Sequence, residues 1–500
     1  MILEILLSIF FIFLLSLYRH FKRNYEFWRN RQIPFLQPTF PVGNMMEAVK
    51  TKQHFGFVME DIYQHMKKRS DVGDYCGIFF FHQPVLLVMT PEFAKTVLVR
   101  DFNYFADRGV YSNEEVDTLS GNLFFLEGPR WRFLRQKLAP TFTSGKLKSM
   151  FPIILDVGQK FVEHLKPYGE KNMEIEIYDL LARFLTDIIS SCAFGFDSNS
   201  LENPDNEFRT ISQKGLNLSK FKSLKCFLSM VFREKARKFG LRFFDEEIND
   251  YFSNLVETTI ANRKKSGIKR KDFLELLINL MEKDDENGEK LNIKEVTAQA
   301  FIFMIAGFET SSTNLSYALH LLAYHQDIQD KARKSIDKKL NEFDNQWSYD
   351  AIMEMTYLEQ IIEESLRIHP PIATLHRITT KEYTLPNGKT IPENTGVIIP
   401  NLAYQRDPEH FPDPLKFDPE RFNAENKNSR HQFTYLPFGD GPRFCIGMRF
   451  GQLQSRLGLA LLLKNFKFEP CDKTENPIEI HPIKLIYAPK NGMYLRIKKI

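Results

Sequence analysis

One cysteine, Cys445, lies in a loop whose composition leaves the chain few local structures to adopt. The loop spans residues 438–447 and reads Phe-Gly-Asp-Gly-Pro-Arg-Phe-Cys-Ile-Gly. Gly439 and Gly441 permit backbone turns that are closed to other residues, and the proline that follows stiffens the loop. The apolar spacing after the cysteine predicts a helix, so free N–H groups and the helix dipole favour a thiolate. Such a thiolate serves as a nucleophile or as a metal ligand, or the cysteine has no functional role.

The remaining cysteines do not pair with this one by any recognisable spacing. The five are Cys76, Cys192, Cys226, Cys445 and Cys471. Their odd number, wide separation and lack of a C-x-x-C pair disfavour a disulfide framework and a paired-cysteine zinc site. The cysteine usage therefore predicts that the body of the protein lies in a reducing compartment.

Charge and composition narrow the class of partner. The net charge is +4 over 500 residues, which gives no argument for nucleic acid as a partner. The 43% hydrophobic content suits a large buried core, and the 46 phenylalanines predict an aromatic-walled ligand pocket. Because no Ser/Gly-rich linker divides the chain, residues 45–500 are predicted to form one large domain.

The N-terminus has the pattern of a membrane anchor. Residues 1–18 are nearly all apolar, and a basic flank with a proline-rich hinge follows at residues 19–44. Charges after the apolar run, with no small-residue cleavage site, favour an anchor with the body in the cytosol. A cleaved signal is the alternative, and it would place unpaired cysteines in an oxidising lumen. The prolines predict a stiff extended connector, or else an ordinary loop.

The apolar periodicity predicts a mainly α fold with small β-sheets (α+β). Two apolar runs within residues 72–90, parted by Gln83-Pro84, are interpreted as a β-hairpin. Short strands near Tyr383 and 397–399 are parted by the turn signal Pro386-Asn387-Gly388. Residues 207–245 mix phenylalanine with Lys and Arg, which suits either a membrane-touching surface or a solvated helix with a buried face.

A long helix is predicted to open at Asn292, where Glu295 completes a capping box. Its middle, residues 306–312, reads Ala-Gly-Phe-Glu-Thr-Ser-Ser. Glycine costs about 1 kcal/mol relative to alanine in a helix, and Thr310 can bond back to the carbonyl of Ala306. The segment makes room for a small ligand with a proton route, or is a bent structural helix.

Two further pairs share helix faces. Trp131 and Arg135 are four apart after a Gly-Pro helix start, and they form an anion clamp or a surface arginine packed on an indole. Glu364 and Arg367 are three apart, which on spacing alone is typical of a weak surface ion pair.

Together these segments resemble the cytochrome P-450 superfamily of haem-thiolate monooxygenases, and most closely its insect microsomal family-six type. The matching positions are Phe438, Gly441, Arg443, Cys445 and Gly447 of the cysteine signature, Glu364 and Arg367 of E-x-x-R, residues 306–311 of the oxygen-activation motif, Trp131 and Arg135 of W-x-x-x-R, and residues 419–422 of P-E-R-F. The matches follow the order of the family and cover essentially the whole chain.

The resemblance implies haem b (iron protoporphyrin IX) as cofactor, with Cys445 as the axial thiolate and metal ligand. It assigns cofactor contacts to Trp131, Arg135, Ala306, Gly307, Arg377, Phe438, Arg443, Cys445 and Gly447. The three arginines and the tryptophan would neutralise the propionates, with His376 a weaker candidate. Gly307 would give space for dioxygen, and Thr310 and Glu309 would be catalytic in holding it and delivering protons. Glu364, Arg367 and Arg421 would form a buried network, which reverses the surface interpretation.

The resemblance also implies partners and a place in the cell. Electrons would come from NADPH–cytochrome P-450 reductase, with cytochrome b5 as a second donor, because no dinucleotide-binding motif stands out. Arg130, Arg132 and Lys137 would offer a basic docking face, or are ordinary solvated charges. The protein is predicted to be a single-pass protein of the endoplasmic reticulum membrane that faces the cytosol and oxidises lipophilic xenobiotics.

Three alternatives stay open on the sequence. The first is a dedicated biosynthetic hydroxylase of a hormone or fatty acid. The second is a haem-binding protein without turnover, and the third is an oxygen-independent isomerase or dehydratase. Intact Glu309 and Thr310 weigh against the last two, because those proteins have no need to deliver protons to dioxygen.

Overall fold

A computed structural model of the chain describes residues 2–216, 219–267, 270, 272–282 and 290–500. The described chain is mainly helical with small β-sheets, which confirms the predicted fold class. It forms two compact units. The first comprises Met1–Gly109, Ala373–His410 and His431–Arg443, and the second comprises Val110–Ile372, Phe411–Arg430 and Phe444–Ile500. The predicted domain boundaries at residues 18 and 44 stay a prediction.

Helices are numbered in chain order over the described residues. They are α1 (Ile2–Tyr25), α2 (Met46–Val49), α3 (Phe55–Lys67), α4 (Pro91–Lys95), α5 (Gly128–Leu138), α6 (Ser144–Glu170), α7 (Ile177–Ile189), α8 (Glu207–Leu216), α9 (Lys220–Val231), α10 (Arg233–Lys238), α11 (Glu246–Ser266), α12 (Phe273–Glu282), α13 (Ile293–Tyr324), α14 (Gln326–Glu342), α15 (Tyr349–Met353), α16 (Thr356–Ile368), α17 (Asn401–Gln405), α18 (Ala424–Asn428) and α19 (Met448–Asn465). Several begin where a hydroxyl side chain accepts a first-turn N–H, as Thr90 does for α4 and Ser348 for α15.

Strands are numbered in the same way. They are β1 (Tyr75–Phe80), β2 (Gln83–Val88), β3 (Glu174–Glu176), β4 (Leu375–Ile378), β5 (Tyr383–Thr384), β6 (Thr390–Ile391), β7 (Gly396–Ile399), β8 (Phe466–Glu469) and β9 (Tyr494–Lys499). The first unit holds a sheet of order β1-β2-β7-β4, in which only β2 and β7 run parallel, and the small pair β5-β6. The second unit holds the antiparallel sheet β3-β9-β8.

The first unit opens with α1, which is long and apolar enough to cross a membrane by length and composition. Its apolar side chains from Ile2 to Leu15 are exposed, and the helix continues seven residues past Tyr18, to Tyr25. The proline-rich hinge then runs along β1, since Gly77 N donates to Pro34 O at 2.8 Å. The predicted extended connector is therefore held against the sheet by backbone hydrogen bonds.

Two turn predictions in the first unit need correction. The hairpin is confirmed, but Gln83 and Pro84 lie inside β2, and the turn is at residues 81–82. Pairing of β2 with β7 starts at Val85, so Pro84 precedes the part of the strand that has neighbours on both sides. The turn at residues 386–388 joins β5 to β6 rather than to β7. The prediction missed β6 because this strand has only two residues and no apolar run.

The second unit is built around α13, whose predicted capping box is present. Asn292 accepts the N–H of Glu295, and the Glu295 side chain accepts the N–H of Asn292, both at 3.0 Å. Helices α7, α16 and α19 pack against α13. Glycines permit this close approach: a Cβ at Gly307 would lie 2.6 Å from Ile189, and one at Gly458 would lie 3.0 Å from Leu315. The central helix is consequently buried along most of its length.

Candidate active site

The cysteine loop has the strained turns that its glycines predicted. Gly441 has φ +70°, and a Cβ there would lie 1.9 Å from the carbonyl oxygen of Leu98. Gly439 also has a positive φ, of +68°, but a Cβ would meet only Leu375, at 4.0 Å. Gly441 is therefore required by both conformation and space, while Gly439 is required by conformation alone.

Cys445 follows this turn and precedes α19 by two residues. Its side chain is exposed, so the thiol is accessible to a ligand, and only Ile446 and Gly447 separate the residue from the first turn of the helix. Each of the five cysteines is a thiol rather than half of a disulfide, as expected. Gly447 is the N-cap of α19, and a Cβ on it would meet only Phe142, at 4.0 Å. Nothing in the protein's own packing requires a glycine there.

Helix α5 brings a cation to the cysteine. The Arg135 guanidinium lies over the Phe444 ring, 4.6 Å from its centroid. Burial lowers the pKa of Arg135, and the nearby negative charge of a Cys445 thiolate opposes that shift. Trp131, one turn earlier on the same helix, is 4% exposed. The structure thus places Trp131, Arg135 and Cys445 in one neighbourhood of the second unit.

In the first unit, two buried arginines share one carboxylate. Arg443 Nε donates to Ala106 O at 2.7 Å, and its Nη2 donates to Asp107 Oδ1 at 3.1 Å. Arg377, on β4, donates from Nη1 to His376 O at 2.7 Å. Its Nε is buried with no hydrogen-bond partner among the described residues. Burial and the Arg443 cation lower the pKa of Arg377 to about 9.

The buried cations and the unpartnered Nε of Arg377 test whether the site fits a carboxylate-bearing cofactor. Arg377 and Arg443 are 4% and 3% exposed, and the Asp107 carboxylate forms an ion pair with Arg443. Buried charges need partners, and guanidinium groups bind carboxylates in paired N–H···O geometry. The donor set therefore fits the propionates of a haem. His376 does not add to it, because burial and Arg377 lower the pKa of His376 to about 4 and leave the ring neutral.

On α13, the predicted back-bond is present. Thr310 Oγ1 donates to Ala306 O at 2.7 Å, and the side chain of Ala306 is exposed despite its place mid-helix. Ala306 and Thr310 thus lie one turn apart on an accessible face of the helix. Gly307 packs against Ile189, so its lack of a side chain has a packing cause, and its role in making space for dioxygen stays a prediction.

Glu309 is on a different face from Thr310. Its carboxyl is 8% exposed and accepts a hydrogen bond from Tyr178 Oη at 2.9 Å. Burial raises the pKa of Glu309, while Lys484, the Tyr178 hydrogen bond and Arg209 lower it. The structure therefore does not bring the two predicted catalytic residues into contact. Sequence reasoning missed Tyr178, since a tyrosine on an amphipathic helix carries no distinguishing pattern.

The predicted network behind the site is buried. Glu364 and Arg367 are 0% exposed and make two hydrogen bonds, of 2.7 and 2.8 Å. Arg367 also donates to Pro414 O at 2.7 Å, and Asp418 N donates to Glu364 Oε1 at 3.0 Å. Arg421 Nε lies 3.5 Å from Glu364 Oε1. The interpretation as surface decoration, drawn from spacing alone, is wrong for this pair.

Phe438 is half-buried in the first unit, five residues before the loop leaves that unit. Its predicted packing beneath a haem stays a prediction.

Arg130, which the sequence assigned to a basic docking face, forms an ion pair with Glu295. Arg132 is exposed, and Lys137 Nζ lies 5.5 Å from the centroid of the Phe133 ring.

Comparison with known proteins covers nearly the whole chain. The family model described as cytochrome P450 matches residues 34–496. Cytochrome P450 6A1 of Musca domestica is 40% identical over 495 residues, which are 97% of this chain and 96% of that relative. Cytochrome P450 6a2 of Drosophila melanogaster is 40% identical over 493 residues, and cytochrome P450 6a8 of the same species is 40% identical over 495. They cover 96% and 97%, respectively, both of this chain and of the relative.

Proposed function

The chain belongs to the cytochrome P450 family and is a haem-thiolate monooxygenase, and from this premise we propose that it oxidises lipophilic foreign compounds at a membrane surface. The observation that carries the site assignment is Cys445 itself, accessible, next to Arg135 and ahead of α19. We assign Cys445 as the axial ligand of the haem. The N–H groups at the start of α19 and the Arg135 cation stabilise its thiolate.

Bound haem would supply the chemistry that splits dioxygen: with two electrons from the redox partner and two protons, one oxygen atom would enter the substrate and the other would leave as water. Arg377 and Arg443 would provide buried cations for the propionates, and the Nε of Arg377 has no hydrogen-bond partner among the described residues. Trp131 and Arg135 on α5 extend the donor set in the second unit. Phe438 of the first unit and Gly447 of the second are the remaining residues that we assign to the cofactor, on the cysteine signature of the family.

Thr310 and Glu309 would serve the delivery of protons to dioxygen. Thr310 Oγ1 already donates to Ala306 O, so it can accept a proton-bearing partner or turn toward dioxygen at the cost of one hydrogen bond. Glu309 has a pKa raised by burial, which suits a residue that gives up a proton near neutral pH. Thr310→Ala should raise the peroxide released per NADPH consumed, and Thr310→Ser should restore coupling. Unchanged coupling in the alanine variant would exclude the role of Thr310.

The substrate class is argued from aromatic residues of the second unit. Phe125 stacks on Phe244 with centroids 5.7 Å apart, and Phe301 of α13 lies 4.8 Å from Phe244 and 4.9 Å from Phe252. These rings join the segment before α5 to α11 and α13. These rings are buried and pack on one another. A substrate pocket beside such a cluster would offer dispersion contacts and few hydrogen bonds, which favours lipophilic compounds of varied shape.

Membrane attachment is proposed through two features. Helix α1 would be the single-pass anchor, and the basic residues that follow its apolar run, such as Lys22 and Arg23, would keep the body on the cytosolic face of the endoplasmic reticulum. Around α9 and α10, Phe221 is 78% exposed and Phe239 is 79% exposed, among many Lys and Arg side chains. Exposed aromatics flanked by cations suit a peripheral contact with lipid headgroups and upper acyl chains.

Electrons are proposed to come from NADPH–cytochrome P450 reductase, with cytochrome b5 as a second donor. Arg132 and Lys137 on α5 are the charges that such an acidic partner would meet. Arg130 contributes less, because it is engaged with Glu295.

Product analysis tests the proposal. Membranes containing the full chain, reductase and NADPH would be screened against lipophilic plant toxins, insecticides, fatty acids and steroid hormones, with Cys445→Ser membranes as the control. Oxidation of several unrelated foreign compounds supports the proposal. Efficient turnover of one fatty acid or hormone alone would replace it with a dedicated biosynthetic hydroxylase.

A further inference from the structure

The carboxyl of Glu309 is held by a residue of the neighbouring helix. Tyr178 Oη donates to Glu309 Oε1 at 2.9 Å and lies 3.3 Å from Thr313 Oγ1. Glu309 and Thr313 are one turn apart on α13, so one hydroxyl bridges two successive turns of that helix. The hydroxyl of Thr310, by contrast, donates its hydrogen bond to Ala306 O. The two residues proposed for proton delivery are thus held apart by different partners.

Tyr178 cannot easily move away, because one carboxylate fixes the start of α7. Glu176 Oε1 accepts the N–H of Tyr178 at 3.2 Å and that of Met493 at 2.6 Å. Its second oxygen accepts the N–H of Asp179 at 2.6 Å. These three hydrogen bonds tie the first turn of α7 to the chain ahead of β9. The position of the Tyr178 hydroxyl is consequently set by the fold and not by a free rotation of the helix end.

The charges that act on Glu309 come from two further segments. Lys484 Nζ lies 5.7 Å from the centroid of the Tyr178 ring, and its charge lowers the pKa of Glu309, as does that of Arg209 on α8. Burial and the charge of Glu309 raise the pKa of Tyr178 well above its ordinary value, with Glu176 adding to the shift. Tyr178 therefore stays protonated and acts as a hydrogen-bond donor to Glu309 throughout the physiological range.

Tyr178 is also the least buried member of the group. Its side chain is half-buried, whereas Glu309 is 8% exposed and Thr313 is 0% exposed. The hydrogen bond from Tyr178 thus joins the buried Glu309 carboxyl to a less buried side chain of α7.

We propose that Tyr178 is a positioning residue of the oxygenase reaction, which holds the Glu309 carboxyl on the α7 side of α13 and sets the proton affinity with which Glu309 serves Thr310. The proposal rests on the proposed function, because it presumes that Glu309 delivers protons. It adds a residue on α7 that no sequence motif singles out.

Three full-length holoenzyme variants test this assignment: Tyr178→Phe, Glu309→Gln and, as a matched control, Tyr168→Phe. Tyr168 is a half-buried tyrosine on α6, where its ring packs against His164. Infrared titration would follow the carboxyl C=O band that is lost in Glu309→Gln. In Tyr178→Phe the midpoint of that band should move to higher pH, because the carboxylate loses a hydrogen bond that stabilises its charged form.

Coupling is the second readout, measured as peroxide released per NADPH across pH. Tyr178→Phe should release more peroxide than the parent, approaching the value of Glu309→Gln, and its pH profile should shift in the same direction as the infrared midpoint. Tyr168→Phe should match the parent in both. An intact thiolate band with carbon monoxide in every variant shows that the haem site itself is preserved.

The outcomes separate the two ideas. If Glu309→Gln uncouples the reaction while Tyr178→Phe changes neither the midpoint nor the coupling, the role of Tyr178 is wrong and the proposed function stands. If Glu309→Gln leaves coupling unchanged, proton delivery by Glu309 is wrong and the role of Tyr178 falls with it.

Discussion

Removal of Arg367 alone should be strongly destabilising, because it leaves the buried Glu364 carboxylate without the cation that pairs with it. Glu364 and Arg367 are both 0% exposed, and Arg367 makes two hydrogen bonds to Glu364 and one to Pro414 O. Breaking a buried pair by removal of one partner costs about 3–5 kcal/mol. Arg367→Met keeps the length of the side chain and removes every donor, so we expect a loss in that range at pH 7.

The pH dependence of this loss identifies its cause. Without Arg367, Glu364 avoids being buried as an unpaired charge by taking up a proton. Protonating a carboxyl whose ordinary pKa is 4.5 costs about 3.4 kcal/mol at pH 7. The same proton uptake costs only about 0.7 kcal/mol at pH 5. Burial raises the pKa of Glu364, so the folded state of the variant binds more protons than the unfolded state, and stability falls as pH rises. The variant should therefore lose roughly 2–3 kcal/mol more at pH 7 than at pH 5.

The assay is chemical denaturation of the full chain in detergent, followed by far-ultraviolet circular dichroism at both pH values. Arg421→Met is the matched control: Arg421 is 13% exposed and lies 3.5 Å from the same carboxylate, so its loss should cost about 1 kcal/mol. Replacing both Glu364 and Arg367 by apolar residues should recover part of the stability. A loss below about 1 kcal/mol for Arg367→Met, or one independent of pH, would refute the account of this network.

Three other substitutions follow from the packing and charge of the site. Gly441→Ala should abolish haem incorporation, since its Cβ would lie 1.9 Å from a carbonyl oxygen. Gly439→Ala meets no atom closer than 4.0 Å and should cost about 1 kcal/mol of stability, and equal loss of the haem absorbance in both variants would contradict this reasoning. Gly307→Ala should lower the thermal unfolding midpoint, because the added Cβ would lie 2.6 Å from Cδ1 of Ile189. Ile189→Val removes that atom and should restore part of the loss, and a double variant no more stable than Gly307→Ala would argue against helix packing as the cause. Arg377→Met should speed transfer of haem to apomyoglobin, because a buried cation with a pKa of about 9 is lost from the propionate donors, and an unchanged transfer rate would remove Arg377 from that set.

The sequence was informative where a local rule has one physical solution. The capping box at Asn292, the back-bond of Thr310 and the turns of the cysteine loop all follow from backbone geometry, and the structure confirms each of them. The fold class followed from periodicity for the same reason. Local signals of this kind do not depend on what the rest of the chain does.

The sequence was misleading where the outcome depends on distant packing. Spacing alone could not tell that Glu364 and Arg367 are buried, and only the family resemblance reversed that interpretation. The contact between Tyr178 and Glu309 joins residues 131 positions apart, with no periodic signal in either segment. Gly307 shows the same limit, because the residue that occupies the space beside it, Ile189, lies on another helix.

The direct test of the central claim is the absorption spectrum of the reduced protein with carbon monoxide. The parent chain should give the red-shifted Soret band of a thiolate-ligated haem, and Cys445→Ser should abolish it. Cys471→Ser, at a half-buried cysteine whose sulfur lies 3.4 Å from Thr474 Oγ1, should keep the band. Retention of the band in Cys445→Ser would contradict the assignment of Cys445 as the axial ligand.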